Sequence, residues 1–303
     1  MTALALALGG CATSSQSPSA TVDAPSAGFT YVDIELASEA GRSIPVRVFR
    51  PLTDCSPCGL IIFSHGAFAT YDRYDVLLTA WAEAGYVVAA PQHVDSEKHP
   101  ARETYLETDP QPYRLEDYFA VSSLFASADY SLDGLTFSGT QFAAGHSFGG
   151  LIALLVGGAE LTSGPIEHPD DAPEPEAIVA ISPPGEIPDR ILAEGYAEIE
   201  TPLLVVTGTT DILPGFIDEW ELHLISYDAN RDDVGHALIF DGMNHYFNGA
   251  FGRIKPEGAS AKTAIDTLNT QITAFLKAAS DDVAPSGPDW EQSTNPIVRT
   301  LGQ

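Results

Sequence analysis

An α/β architecture, a mostly parallel eight-stranded sheet with helices on both faces, is predicted by three observations. Short continuous apolar runs alternate with segments of helical spacing. Two strands of alternating polarity open the series, and a glycine-rich turn joins one apolar run directly to an apolar helix.

Residues 29–37 and 43–49 alternate apolar and polar residues and read as an antiparallel opening pair turning near Gly41. Leu60 to Phe63 is apolar throughout, as a strand buried on both faces requires. Residues 74–84 carry Leu77, Leu78 and Trp81 at helical spacing, and Gly85 stops that helix. Residues 87–90 form the next buried strand, followed by a polar, proline-punctuated loop over 93–111 and a helix over 113–126. Residues 142–144 lead into Gly145, and 151–156 continue as an apolar helix. The acidic, proline-rich stretch 161–176 reads as an exposed excursion. Residues 178–181, 203–206 and 237–240 supply three more strands, and 261–278 a long amphipathic helix. With no repeat and no linker inside it, 28–280 is expected to be one catalytic-type domain, between a leader and tether over 1–27 and a tail over 281–303. This order of elements is that of the α/β-hydrolase fold.

Lys and Arg total 14 against 42 Asp and Glu, a formal net charge of −28. Such a surface repels phosphate backbones and anionic lipid, which excludes nucleic acid as a partner. Its self-repulsion is relieved by salt, so a saline habitat is one expectation and a merely soluble acidic surface the other.

The first residues read as a processing segment. The apolar run from Ala3 to Leu8 is too short to cross a bilayer. It ends in Leu8-Gly9-Gly10-Cys11, which resembles a bacterial lipobox, although no Lys or Arg precedes the run. Cys11 would carry the lipid, and the Ser, Thr, Pro and Ala that follow suit a tether. The expectation is a protein of the bacterial cell envelope, touching membrane only through that anchor, or a secreted one. Cys55 and Cys58 remain as an even pair able to close a small disulfide in an oxidising compartment. They offer too few ligands for zinc, so no metal site is expected there.

Gly145-His146-Ser147-Phe148-Gly149 matches G-x-S-x-G between a strand and a helix, the setting of a nucleophile elbow, with Ser147 as nucleophile. A serine hydroxyl needs a base. The order serine, acid, histidine along such folds points to Asp211, just past the strand at 203–206, and to His245, just past the last strand. Asp218 and Asp241 are the rival acids. Of 8 histidines, His65 and His146 sit in signature turns, His93 and His99 come early, His168 lies in the excursion, His223 reads as helical and His236 begins a strand. An oxyanion hole needs two backbone N–H groups. Phe148 supplies one; Ala67, in Ser64-His65-Gly66-Ala67-Phe68, is the candidate for the other, with Phe68 the alternative one residue on.

Phe63-Ser64-His65-Gly66, Gly85-Tyr86-Val87-Val88-Ala89-Ala90 and Gly145-His146-Ser147-Phe148-Gly149-Gly150 together resemble plasma-type platelet-activating-factor acetylhydrolases and bacterial predicted dienelactone hydrolases. More distantly they are similar to chlorophyllases and polyester (PET) hydrolases. The resemblance implies a serine carboxylic ester hydrolase with an acyl-enzyme intermediate, no cofactor, and a small-molecule or polymeric ester as substrate. Dienelactone hydrolases themselves use cysteine where this chain has Ser147, which argues against dienelactone. Phe68, Tyr246 and Phe247 are candidates to line a substrate pocket, with core packing the competing role. Acyl transfer uses the same three side chains. Haloalkane dehalogenation requires a carboxylate at 147, and a non-catalytic binding lipoprotein would not need all three positions filled.

Overall fold

The computed structural model describes residues 28–230, 234–251, 258–281 and 298–301; Cys11 and the leader lie outside them. The strands are β1 (Phe29–Ala37), β2 (Ser43–Pro51), β3 (Cys58–Ser64), β4 (Val87–Pro91), β5 (Phe137–His146), β6 (Ala177–Ile181), β7 (Leu203–Gly208), β8 (Gly235–Phe240) and β9 (Val298–Leu301). They form one sheet in the order β1-β2-β4-β3-β5-β6-β7-β8-β9. β3 to β8 are mutually parallel, while β1 and β2 at one edge and β9 at the other run antiparallel to their neighbours.

The eight expected strands are thus joined by a ninth, drawn from the segment expected to be only a tail. Val298 to Leu301 pairs with Ala237 to Phe240 and covers what would otherwise be an open sheet edge. Four residues give too short a run for periodicity to reveal.

The apolar runs are continuous because successive residues serve two different cores. Leu60 and Ile62 of β3 pack on one face of the sheet, Ile61 and Phe63 on the other. Val87 and Ala89 part from Val88 and Ala90 in the same way. The main helices are α1 (Asp75–Glu83), α2 (Gln111–Ala126), α3 (Phe148–Val156), α4 (Ile225–Asn230) and α5 (Gly258–Ser280). The first core packs under α2 and α3 through Tyr118, Val121, Phe125 and Leu151. The second packs under α1 and α5 through Leu77, Trp81, Leu268 and Phe275. The polar loop expected over 93–111 contains one short helical turn, Arg102–Tyr105.

Cys55 and Cys58 are joined by a disulfide with their Cα atoms 4.9 Å apart, at the entrance to β3.

The parallel strands finish level with one another. Ser64 pairs with Gly145, His146 with Ile181 and Gly208 with Phe240. Loops after β3, β5, β6, β7 and β8 therefore open at one edge of the sheet. β3 lies between β4 and β5, so the winding reverses there, and a crevice at the strands' carboxyl ends follows from that topology.

Leu268, on α5, is fully buried in the second core and does not line the cavity at that edge. Leu268→Ala is expected to lower unfolding free energy by about 2–5 kcal/mol, read from urea melts, with the pH dependence of any activity unchanged.

Candidate functional site

β5 ends at His146, and the chain turns into α3 through Ser147 at φ 54°, ψ −120°. A non-glycine residue in this region is strained by roughly 1–3 kcal/mol and persists only where its surroundings impose it. Here the Ser147 N–H donates to the Ile181 carbonyl at 2.8 Å, and the Ser147 carbonyl accepts from Leu151 N–H at 3.2 Å. The flanking glycines are steric necessities. A Cβ on Gly145 would lie 2.1 Å from the Gly149 carbonyl oxygen, and one on Gly149 would lie 1.9 Å from that of Ser64.

Ser147, His245, Ala67, Phe68, Phe148 and Tyr246 all line one cavity of about 650 Å³. Gly66, Arg73, Glu97, Pro184, Ile187, Leu213 and Phe216 complete most of its wall. Asp211 is fully buried behind it, and His245 Nδ1 lies 2.8 Å from Asp211 Oδ1. The rival acids are engaged elsewhere: Asp218 accepts from Gly215 N–H, and Asp241 from the Thr209 hydroxyl. Among the described residues no hydrogen bond joins the Ser147 hydroxyl to His245; such bonds commonly tighten only around substrate.

One of the three pocket aromatics falls elsewhere. Phe247 is fully buried in the second core, 5.3 Å from the Phe240 ring and 5.0 Å from that of Phe251. It sits at φ 48°, so the backbone turns it away from Tyr246 and inward. Phe68 is 63% exposed, Phe216 58% and Tyr246 43%, which makes the cavity's rim unusually apolar.

In the loop after β3, the N–H groups of Ala67 and Phe68 are engaged differently. Phe68 N–H donates to Asp95 Oδ2 at 3.0 Å and is spent. Ala67 N–H and Phe148 N–H have no acceptor among the described residues and flank the cavity. Asp95 in turn receives Arg114 through two nitrogens at 2.9 and 2.8 Å. Arg114 also donates to the carbonyls of His65 and Gly66 at 2.6 and 3.2 Å. The loop is therefore clamped from below by a fully buried guanidinium; burial would raise Asp95, but that charge and its hydrogen bonds hold the carboxyl well below the usual carboxylate range.

His146 has a part beyond its signature turn. Its Nε2–H donates to the His245 carbonyl at 2.8 Å, and its Nδ1 accepts from the Tyr74 hydroxyl at 2.9 Å. Tyr74 itself accepts from Gly66 N–H at 3.0 Å. One imidazole so ties together the elbow, the histidine loop and the oxyanion loop. Burial, with His245 adding to it, lowers His146 to about 3.

Sequence reasoning passed over His223. It lies in a short 3-10 turn, Trp220–Leu224, fully buried, with Nε2 2.9 Å from Asp211 Oδ1. Asp211 Oδ2 accepts from Ser182 Oγ at 2.5 Å and Thr207 Oγ1 at 3.0 Å. Burial would raise Asp211, but His223 and His245 beside its carboxylate hold it far below the usual range. Asp211, His223 and His245 are also the described trio whose ligand atoms lie within 4.8 Å of one another, the spacing a metal would need. His245 Nδ1 is hydrogen-bonded to Asp211 at 2.8 Å, whereas His223 Nε2 stands 2.9 Å from the same oxygen without aligned hydrogen-bond geometry.

No protein-family model matches the sequence, and no curated protein matches it. Solved structures do match by shape. A putative dienelactone hydrolase from Klebsiella pneumoniae subsp. pneumoniae MGH 78578 aligns with TM-score 0.60 and 17% identity over 82% of this chain and 98% of its own. A mutant form of the esterase rPPE gives 0.58 and 14% over 84% and 86%. A Pyrobaculum calidifontis esterase gives 0.53 and 17% over 81% and 85%.

Acid should unfold this molecule from an unusually high pH. Burial, with Arg114 next, holds His65 and His93 well below 6.5, and burial does the same to His146. Below 6.5 the unfolded chain binds protons that the folded chain refuses, so stability is full above that value and is lost as pH falls. The three histidines alone give a slope of as much as about 4 kcal/mol per pH unit, from which Asp117, raised by burial to about 7, takes back about 1.4. Urea midpoints at pH 7 and 5 test this; a midpoint that stays level or rises at pH 5 contradicts it. At these identities the comparisons speak to architecture, and on its topology and these likenesses the chain has an α/β-hydrolase fold.

Proposed function

We propose that this protein is a serine carboxylic ester hydrolase, with Ser147 as nucleophile, His245 as base and Asp211 as its acid partner. The observation that carries the reading is the contact of His245 Nδ1 with the buried Asp211 carboxylate, beside a strained serine that lines the same cavity. With Nδ1–H given to Asp211, the Nε2 lone pair of His245 is the one left to take a proton from Ser147. Ser147 Oγ attacks the ester carbonyl, and the developing oxyanion is received by Ala67 N–H and Phe148 N–H. His245 then protonates the leaving alcohol, and water, deprotonated by the same imidazole, releases the acid and restores the serine.

The apolar rim formed by Phe68, Phe216 and Tyr246 favours an ester with a sizeable apolar portion over a small polar one. Short-acyl phospholipids and aromatic polyesters are the finer alternatives within this same mechanism. The solved esterases of similar fold support the general reaction class.

Ser147→Ala is expected to reduce turnover of p-nitrophenyl butyrate by at least about 10⁴-fold and to abolish labelling by a fluorophosphonate, with an unchanged melting temperature. A Ser147→Ala enzyme that still turns the ester over removes the mechanism.

A further inference from the structure

His223 presents both ring nitrogens to acceptors. Nδ1 lies 2.5 Å from the Pro183 carbonyl oxygen, which only accepts, so Nδ1 carries hydrogen. Nε2 lies 2.9 Å from Asp211 Oδ1 and, fully buried, has no other polar partner. The contact is out of line for a full hydrogen bond, but a bare lone pair held there against a carboxylate would be repelled. Protonation turns the same contact into an ion pair. The alternative, a proton on Asp211, is opposed by its surroundings. Ser182, Thr207 and His245 all donate to that carboxylate.

His146 shows the contrast. It faces one acceptor, the His245 carbonyl, and one donor, the Tyr74 hydroxyl that Gly66 N–H has already engaged. That arrangement demands a neutral ring, whereas the surroundings of His223 demand a charged one. The two rings bracket His245, with centroids 4.8 and 5.7 Å from it. The titratable groups facing His245 are thus Asp211, His223, His146 and Tyr246, whose ring centroid is 5.1 Å away, with Tyr74 behind His146.

We propose that His223 is a positioning residue held as an imidazolium against Asp211, and that its charge keeps His245 a free base to lower pH than a lone carboxylate would allow. The inference rests on the assignment of His245 as base. The acid of the site is then an ion pair of no net charge. Such a pair still fixes the His245 tautomer through Oδ1, but stabilises a second imidazolium beside it less. No proton moves to or from His223 in the reaction.

Two measurements on the full chain decide the matter. In ¹⁵N-histidine NMR spectra, the His223 signals, assigned by their loss in His223→Gln, should show two protonated nitrogens from pH 6 to 8. A bare nitrogen on His223 across that range overturns the proposal. The second measurement is the pH dependence of fluorophosphonate labelling of Ser147. Gln keeps a donor to Asp211 without charge, so His223→Gln should move the acid limb up by about one pH unit, and His223→Lys, restoring a cation, should return it toward the wild-type position. An acid limb unmoved in His223→Gln rules the charge out, leaving the hydrolase reading intact. A wild-type chain that labels at no pH counts instead against the hydrolase reading, and the NMR result still decides the state of His223.

Discussion

The Asp211 carboxylate is shut away from water yet has to remain ionised, and the site is built around solving that problem. Burying an ion in a low-dielectric interior costs several kcal/mol unless nearly every lone pair is met. Ser182, Thr207 and His245 donate to the Asp211 carboxylate and His223 stands against it at 2.9 Å; Ser182 and His245 follow β6 and β8, Thr207 lies near the end of β7, and His223 comes from the turn between β7 and α4. The sheet makes this convergence possible, because parallel strands in register deliver their following loops to one edge. Ser182, like Ser147, adopts a positive φ, 48°, so two adjacent strands end in tight turns that aim side chains across rather than along the sheet. Strain in the turns and charge in the interior are thus tolerated for the same reason: a rigid, doubly covered sheet leaves no cheaper conformation.

The oxyanion loop depends on a second buried ion pair with different logic. Arg114 and Asp95 do not face the cavity; they consume the loop's unwanted polar groups. Arg114 takes the carbonyls of His65 and Gly66, Asp95 takes the N–H of Phe68, and the Tyr74 hydroxyl takes that of Gly66. What remains uncommitted on that loop is the N–H of Ala67, beside that of Phe148 at the start of α3. On the proposed reading, preorganisation here means that the competing partners are already taken, so the remaining donors would need no rearrangement when charge develops.

The legible part of the molecule was the part with local signals. Continuous apolar runs marked β3, β4, β6, β7 and β8 because their alternate residues feed two cores. The place of Ser147 was legible because the strand–helix turn demands glycines on both sides, and those of Asp211 and His245 because each comes a few residues past a strand end at the same edge of the sheet. The rest depended on distance. Arg114 and Asp95 are separated by 19 residues and clamp a loop 49 residues away from Arg114. Nothing in either neighbourhood announces the other. His223 carries no motif, and a histidine amid Trp220, Leu222 and Leu224 reads as helix packing until Asp211 is placed beside it. Phe247 was misplaced because adjacent residues in a loop need not point the same way; a positive φ sends it into the core while Tyr246 stays at the rim.

A second constellation in the same chain shows why three side chains in mutual contact do not make a site. Ser64 Oγ lies 3.1 Å from His93 Nε2, and His93 Nδ1 lies 2.8 Å from Asp117 Oδ2. These are the contacts of a serine, a base and an acid, with the same 2.8 Å histidine–aspartate distance as at His245 and a serine–histidine hydrogen bond that Ser147 lacks among the described residues. Yet Ser64, His93 and Asp117 are all fully buried, and none lines the cavity. Asp117 is further tied to Arg42 at 2.6 Å, and despite that partner burial pushes it up to about 7. The trio joins β3 to α2 beneath the oxyanion loop and is a structural hydrogen-bond chain. Ser147 differs from Ser64 in what surrounds it: a cavity of about 650 Å³, two uncommitted N–H donors, and a strained backbone turn at φ 54°. Those three conditions are backbone and packing properties, so chemistry at this edge of the sheet is decided as much by glycine placement and loop clamping as by the side chains that carry the protons.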